Sequence, residues 1–282
     1  MAERKTPRAS STVREDEALK LRSISSLSDF VVFSGKTEIG TVDEFLFDDE
    51  VWAIRYVSVN AGDWLSGRKI LLSPVVLEEP DWELPKLTLT LENSRLREIP
   101  SLESNAPVSR FHQIGLYRHY GWLPYWVEGE YYDKPPHPSK VISGQSPEQE
   151  KEADPHLFGT KEMVEYRVEA LNGDAGHVDD FIMDEDDWVI HYLVVALEDP
   201  VPEDESGKLV LISTEWIRKA VKEEGSIYAD LDKERIRNSP AYDPAILINR
   251  EYELELYDHY GRPRYWDQGT DTEEEEDTRF SS

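Results

Sequence analysis

The chain contains the same segment twice, and whatever it folds into must accommodate that duplication. Gly40–Val59, GTVDEFLFDDEVWAIRYVSV, aligns with Gly176–Val195, GHVDDFIMDEDDWVIHYLVV, at a constant offset of 136 residues. Gly40, Val42, Asp43, Phe45, Asp48, Trp52, Ile54, Tyr56 and Val59 meet their own residue types in the second copy. Four residues then enter the second copy within EDPVPEDESGK, and the offset becomes 140. GRKILLS (Gly67–Ser73) meets GKLVLIS (Gly207–Ser213), LENSRLREIP (Leu91–Pro100) meets LDKERIRNSP (Leu231–Pro240), and LYRHYGWLPYW (Leu116–Trp126) meets LYDHYGRPRYW (Leu256–Trp266). Two matched registers separated by one loop insertion are the mark of duplication.

Each copy reads as mostly strand. The large residues of Trp52-Ala-Ile54-Arg-Tyr56 and Trp188-Val-Ile190-His-Tyr192 recur with period two, as on one face of a sheet. Acidic runs at Asp48–Glu50 and Asp184–Asp187 lie between apolar runs, as hairpin turns do. Further strands are expected at Asp29–Phe33, Lys69–Leu72, Lys86–Leu91, Val164–Leu171, Leu209–Ile212 and Ser226–Leu231. Short strands at this density predict a closed or nearly closed β-barrel in each copy, since closure removes exposed edges. Helices are expected over Asn249–Tyr260 and its counterpart Ser109–Tyr120, ended by Gly261 and Gly121. A further helix is expected over Ser213–Gly225, which has a capping serine, an apolar stripe and a terminal glycine; Pro74 and Pro80 make its first-copy equivalent irregular. Similar copies commonly pack about a pseudo-two-fold axis, and the same surfaces would serve a homodimer.

The organisation follows: a flexible arm over 1–24, a first domain over 25–126, a linker over 127–158, a second domain over 159–266 and an acidic, disordered tail over 267–282. Fifty-nine acids oppose 31 bases, a net charge of −28, and the linker and tail account for −4 and −6 of it. The folded parts are therefore themselves acidic. Such a surface repels phosphate backbones and anionic headgroups, so no direct nucleic-acid binding is expected. Only Arg4, Lys5 and Arg8 in the arm run the other way. There is no cysteine, which removes disulfides and thiol chemistry and fits a reducing cytoplasm. No apolar run approaches the roughly 20 residues of a transmembrane segment. A cytoplasmic location, peripheral to a membrane complex at most, is the expectation.

The unit G-x-V-x-[DE]-F-φ-φ-D, then W-x-I-x-Y-φ-φ-V, a strand ending in serine, and R-[LI]-R-x-x-P resembles the PRC-barrel family over about 25–126 and 159–266. That family includes the cytoplasmic domain of the photosynthetic reaction-centre H subunit and the C-terminal domain of a ribosome-maturation factor. The closing Y-x-H-Y-G-x-x-x-Y-W is similar to tandem PRC-barrel proteins of bacteria. The resemblance implies a mainly β fold of two repeated small PRC-type β-barrels, each followed by a short helix. It implies a non-catalytic protein-interaction or assembly module, associated with a photosynthetic or other membrane electron-transfer complex. A ribosome- or RNA-processing-associated factor is the alternative, and an enzyme with a site between the barrels is a second one.

Chemical motifs are sparse. Gly35-Lys36-Thr37 resembles the end of a phosphate loop, but Phe30 stands where that loop needs glycine. His177, Asp179, Asp180 and His191 suit a divalent metal by type, yet the first copy places Thr41 and Arg55 where the histidines stand. They read as polar residues on a strand. No catalytic residues, metal ligands or cofactors are assigned. The candidate interface or packing cluster is the repeated aromatic segment: Tyr117, His119, Tyr120, Tyr125 and Trp126, with Tyr257, His259, Tyr260, Tyr265 and Trp266. Rings with a large apolar area and a polar edge serve cores and interfaces equally. Arg95, Arg97, Arg235 and Arg237 recur as well and suit ion pairs or a helix end.

Overall fold

A computed structural model describes residues 20–62, 68–100, 108–121, 154–197 and 207–267. The basic residues of the arm, residues 127–153 of the linker, residues 268–282 of the tail, and Tyr125 and Trp126 lie outside them.

The elements run β1 (Leu21–Ser23), β2 (Val31–Ser34), β3 (Thr37–Asp48), β4 (Ile54–Ala61), β5 (Lys69–Leu72), β6 (Lys86–Leu89), α1 (Asn93–Arg97) and α2 (Arg110–Tyr120). They continue as β7 (Leu157–Gly159), α3 (Thr160–Met163), β8 (Arg167–Ala170), β9 (Gly173–Asp184), β10 (Val189–Ala196) and β11 (Leu209–Ser213). The chain closes with β12 (Ile217–Val221), β13 (Ser226–Ala229), α4 (Lys233–Arg237) and α5 (Arg250–Tyr260). The fold is mainly β. One sheet has the order β5-β4-β3-β2-β6 and the other β11-β10-β9-β8-β13-β12. Neither path returns to its first strand, so the expectation of closed barrels is corrected to two open sheets. The second sheet ends at β11, whose open edge is met by the chain after α4: Val210 bridges Ala241, and Tyr242 N–H donates to Leu209 O (2.8 Å). Closure is therefore not needed to protect that edge.

The sheets do not divide where the sequence repeats divide. β1 pairs with β9, placing Leu21, Arg22 and Ser23 opposite Asp184, Met183 and Ile182. β7 pairs with β3, placing Leu157, Phe158 and Gly159 opposite Asp48, Phe47 and Leu46. Exchanging the two repeats converts one register into the other, Leu21 opposite Asp184 becoming Leu157 opposite Asp48. Each repeat thus gives its first strand to its twin's sheet. The 12-residue strands β3 and β9 are long because each holds three partners. β3 pairs with β2 over Thr37–Thr41, with β7 over Leu46–Asp48, and with β4 along Gly40–Phe47.

A second set of matched contacts lies at the hairpins. Ile54 N–H donates to Trp188 O (2.8 Å) and Ile190 N–H to Trp52 O (2.9 Å), with an antiparallel bridge between Ala53 and Val189. Both tryptophans sit in the left-handed region, at φ of 57° and 58°. A bulky side chain avoids that region unless the surroundings over-determine it. Ile54 and Tyr56 occupy the core face of β4 as their period implies, but Trp52 and Trp188 precede their strands and belong to these turns. Asp29 and Glu165, also 136 apart, form the other pair of non-glycine residues at positive φ among the described residues. Between the halves the core is aromatic: Phe47 stacks on Trp52 at 5.3 Å and touches Phe158 and Phe181.

The helix expected over Ser213–Gly225 is absent. The segment is a short 3-10 turn at Thr214–Trp216, then β12, then a second 3-10 turn ended by Gly225 at φ of 56°. Gly225 lets the chain reverse so that β12 pairs with β13, and β-branched Ile217 and Val221 suit the strand. The first copy keeps only fragments of this hairpin, with Pro74 and Pro80 interrupting it. Helices α2 and α5 form as expected, capped by Ser109 and Asn249 side chains and ended by Gly121 and Gly261 in the left-handed conformation.

The repeated glycine of G-x-V is a matter of space. A Cβ on Gly40 would lie 2.0 Å from Asn60 O, and one on Gly176 2.1 Å from Ala196 O. Gly176→Ala is expected to cost about 3 kcal/mol, at the severe end for a single substitution, measured by urea denaturation. Because each half holds a strand of the other, calorimetry should show one cooperative unfolding transition. Two separate transitions would mean that the exchanged strands do not couple the halves.

Candidate functional site

The recurring polar residues are placed by two buried networks that tie each C-terminal helix to its sheet. In the first half Tyr56 OH donates to Gln113 Oε1 (3.1 Å), Gln113 Nε2 donates to Asp154 Oδ2 (2.6 Å), and Arg110 Nε pairs with that oxygen at 2.8 Å. In the second half Tyr192 OH donates to Glu253 Oε1 (2.6 Å), Tyr265 OH donates to the same oxygen (3.1 Å), and Arg250 lies 2.7 Å from Oε2. Gln113 and Glu253 are equivalent, as are Arg110 and Arg250. One half thus borrows its buried carboxylate from the segment before β7, and the other carries it on the helix. Burial pushes the Glu253 carboxyl above the usual range, against the opposing pull of the Tyr192 hydroxyl and Arg250.

The aromatic cluster divides by position. Tyr120, Tyr257 and Tyr260 are buried, whereas Tyr117, Tyr265 and Trp266 are half-buried at the edge of the core. Trp216 packs under Tyr257 and Tyr260 with ring centroids 5.1 and 4.7 Å away. Trp266 packs edge-on against Tyr257 and Tyr265 and accepts the Arg250 guanidinium 4.2 Å from its ring centroid. His119 Nε2 donates to Arg95 O (3.0 Å), and His259 Nε2 donates to Arg235 O (2.8 Å). Each histidine latches the long helix to the short one of its half. Arg235 returns the bond to Tyr260 O (2.5 Å), satisfying the end of α5.

Two concave features draw on the aromatic repeat only through Tyr117 in one and Tyr265 in the other. These lie between the halves and are twins. The first, about 650 Å³, is walled by Ala53, Ile54, Ser73, Leu77 and Tyr117 and faced by the opposite hairpin, Glu185 to Trp188. The second, about 540 Å³, is walled by Val189, Ile190, Ser213, Ile217 and Tyr265 and faced by Asp49 to Trp52. Tyr117 and Tyr265 apart, the walls match position for position. Their electrostatics do not: the first cleft is lined by five carboxylates and Arg55, the second by three carboxylates, Arg218, Lys219, His156 and His191. These clefts are invisible in either copy alone, because each needs a hairpin from the other.

Of the metal-type residues, His177 and Asp179 line neither cleft, and Asp180 receives bonds from Ser25 N–H (3.1 Å) and Oγ (2.7 Å). His191 packs on Tyr265 at 5.0 Å. Among the described residues no group of three or more His, Asp or Glu is arranged to hold a metal ion.

Burial raises the Tyr257 hydroxyl to about 12 and pushes Tyr120, Tyr192, Tyr260 and Tyr265 up as well. Above pH of about 10 an unfolded tyrosine releases its proton while these retain theirs. The native state then binds more protons, so stability falls as pH rises past 10. Ultraviolet titration should show these tyrosinates appearing only with alkaline unfolding. Glu253→Gln, which copies Gln113, removes a carboxyl whose folded pKa is raised. Stability of the wild type relative to this variant should therefore fall as pH rises from about 4.5, read from urea midpoints at acid and neutral pH. A constant difference would show that Glu253 is not held in a proton-favouring site.

Compared with protein-family models and with curated proteins, the chain matches none.

Proposed function

We propose that this chain is a non-catalytic binding and assembly module of the PRC-barrel type, in which two diverged copies of one fold present a single acidic body to a protein partner. The observation that carries this reading is the engagement of the recurring polar residues in scaffold contacts. Tyr56, Gln113, His119 and their twins Tyr192, Glu253 and His259 hold helices to sheets or to each other. Reactive side-chain types that recur in both halves are thus used for architecture. What the body presents is charge, with 59 acids against 31 bases. A partner with a basic, desolvatable surface suits it, and long-range attraction would steer the encounter. The resemblance to the reaction-centre subunit makes a membrane electron-transfer complex the partner class, met at its cytoplasmic face. No helix among the described residues is long and apolar enough to cross a membrane, so on this reading attachment is peripheral. The charge disfavours RNA and leaves basic ribosomal proteins as the contact in the second reading.

Carboxylate–lysine cross-linking in lysate of the native source, followed by mass spectrometry, tests this. Cross-links from the hairpin acids Glu50, Asp186 and Asp187 to lysines of an electron-transfer complex are expected. They should weaken above about 0.5 M salt, where screening shortens to a few ångströms. Recovery of ribosomal proteins would replace the first reading with the second. Turnover of a substrate by the purified chain would overturn both. Light scattering decides the homodimer separately, since a strict monomer at micromolar concentration removes it.

A further inference from the structure

The twin clefts supply an internal comparison: one architecture with two electrostatic outcomes. In the first cleft both rims are acidic, Glu78 and Glu79 on one side and Glu185 to Asp187 on the other. Acid facing acid needs a cation between, and this chain supplies one. Lys20 Nζ lies 3.0 Å from Glu79 and 2.8 Å from Asp186, joining the rims across the mouth.

In the second cleft the hairpin acid of that staple persists as Glu50, but its other parts are changed. Glu78 and Glu79 become Arg218 and Lys219, and Lys20 becomes His156. His156 Nδ1 stays with the hairpin, 3.0 Å from Asp49 and 4.0 Å from Glu50. The Lys219 ammonium lies over the Tyr228 ring at 4.5 Å. Arg218 is exposed and makes no ion pair among the described residues, in a chain with nearly twice as many acids as bases. The rims now differ in charge, with the Arg218 guanidinium on β12 beside Glu215 and carboxylates on the hairpin, and among the described residues no side chain joins them. Between them lies about 540 Å³, floored by Trp52 and Ile190 and backed by the Tyr265 ring. That volume falls within the range of small-molecule sites, about 300–1,000 Å³.

We infer that the second cleft binds a small zwitterion of the amino-acid type. Its carboxylate would meet Arg218, whose planar fork matches a carboxylate in bidentate fashion. Its ammonium would meet Glu50, whose side chain is 71% exposed. Its apolar part would lie against Tyr265 and Trp52. A simple anion is disfavoured by the hairpin acids and by the net charge of −28, and a simple cation by Arg218. A ligand carrying both charges satisfies both rims. This site is independent of the protein-partner reading, and either can fail without the other.

The test uses the full chain. The free L-amino acids are screened by thermal shift, and the strongest is compared by calorimetry with its α-amide and its N-acetyl derivative. Saturable binding by the free form is expected, with at least about ten-fold weaker binding of each derivative, each loss being about 1.4 kcal/mol or more. Arg218→Glu, which restores the residue type of the first cleft at an exposed position, should weaken binding at least about ten-fold with an unchanged melting temperature in the absence of ligand. Glu78→Arg in the first cleft should leave it within about two-fold. No binding up to about 10 mM, equal binding of either derivative, or indifference to Arg218→Glu would overturn the inference.

Discussion

Two backbone hydrogen bonds cross the pseudo-two-fold axis, Ile54 N–H to Trp188 O and Ile190 N–H to Trp52 O, and the rest of the structure is arranged around them. Each fixes a hairpin of one half against the start of a core strand in the other. Each also accounts for a tryptophan held at positive φ, a conformation of order 1–3 kcal/mol above the usual one for such a residue. The carbonyl of a residue in the ordinary β region would point elsewhere, so strain and cross-half contact are one device. The exchanged strands β1 and β7 extend it by pairing with the C-terminal ends of β9 and β3, beside the same hairpins. Neither half then has a complete sheet of its own, and the two repeats form one folding body with matched contacts at matched positions.

Symmetry holds the backbone more strictly than the side chains. Arg22 on β1 lies 5.1 Å from the Trp82 ring, while the equivalent pair is Phe158 on β7 with the Lys222 ammonium 4.4 Å above it. Cation and ring have changed places and the contact survives. The buried networks behave alike: a carboxylate, a tyrosine hydroxyl and an arginine meet in both halves, but the carboxylate is Asp154 in one and Glu253 in the other. What is retained is the pairing of a buried charge, because an unpaired one would cost several kcal/mol. The residue that supplies it is free to move.

Much of this was legible in the sequence, for identifiable reasons. The hairpins, the strands Lys69–Leu72 and Leu209–Ser213, and the helices capped by Ser109 and Asn249 all carry local signals, periodicity or capping chemistry, that survive in the fold. Ser213–Gly225 misled because a capping serine and a terminal glycine also suit a 3-10 turn and a hairpin reversal. The exchanged strands have three residues each and no periodicity to read. Their partners are more than 100 residues away, and nothing local distinguishes pairing within a repeat from pairing across repeats. Barrel closure failed as an expectation for a related reason, since the β11 edge is met by a segment outside the sheet, Ala241–Tyr242. The recurring histidines and tyrosines were visible as a pattern, but their role was not. A residue repeated in a duplicated fold recurs equally well for packing or for ligand binding, and only the carbonyls opposite His119 and His259 separate the two.

The clefts show what duplication within one chain permits that a symmetric dimer does not. In a dimer of identical chains every substitution enters both symmetry-related clefts at once. Replacing Glu78 and Glu79 by arginine and lysine would then place cations opposite both hairpins and remove from each the Glu79 carboxylate that Lys20 holds. With the copies fused, Glu79 and Lys20 can keep stapling the halves at one cleft while Arg218 faces Glu50 at the other. One cleft retains the mechanical task, and its twin is released from it. The cross-axis hydrogen bonds make this division tolerable, because they secure the arrangement of the halves through backbone groups that side-chain divergence in the clefts does not alter.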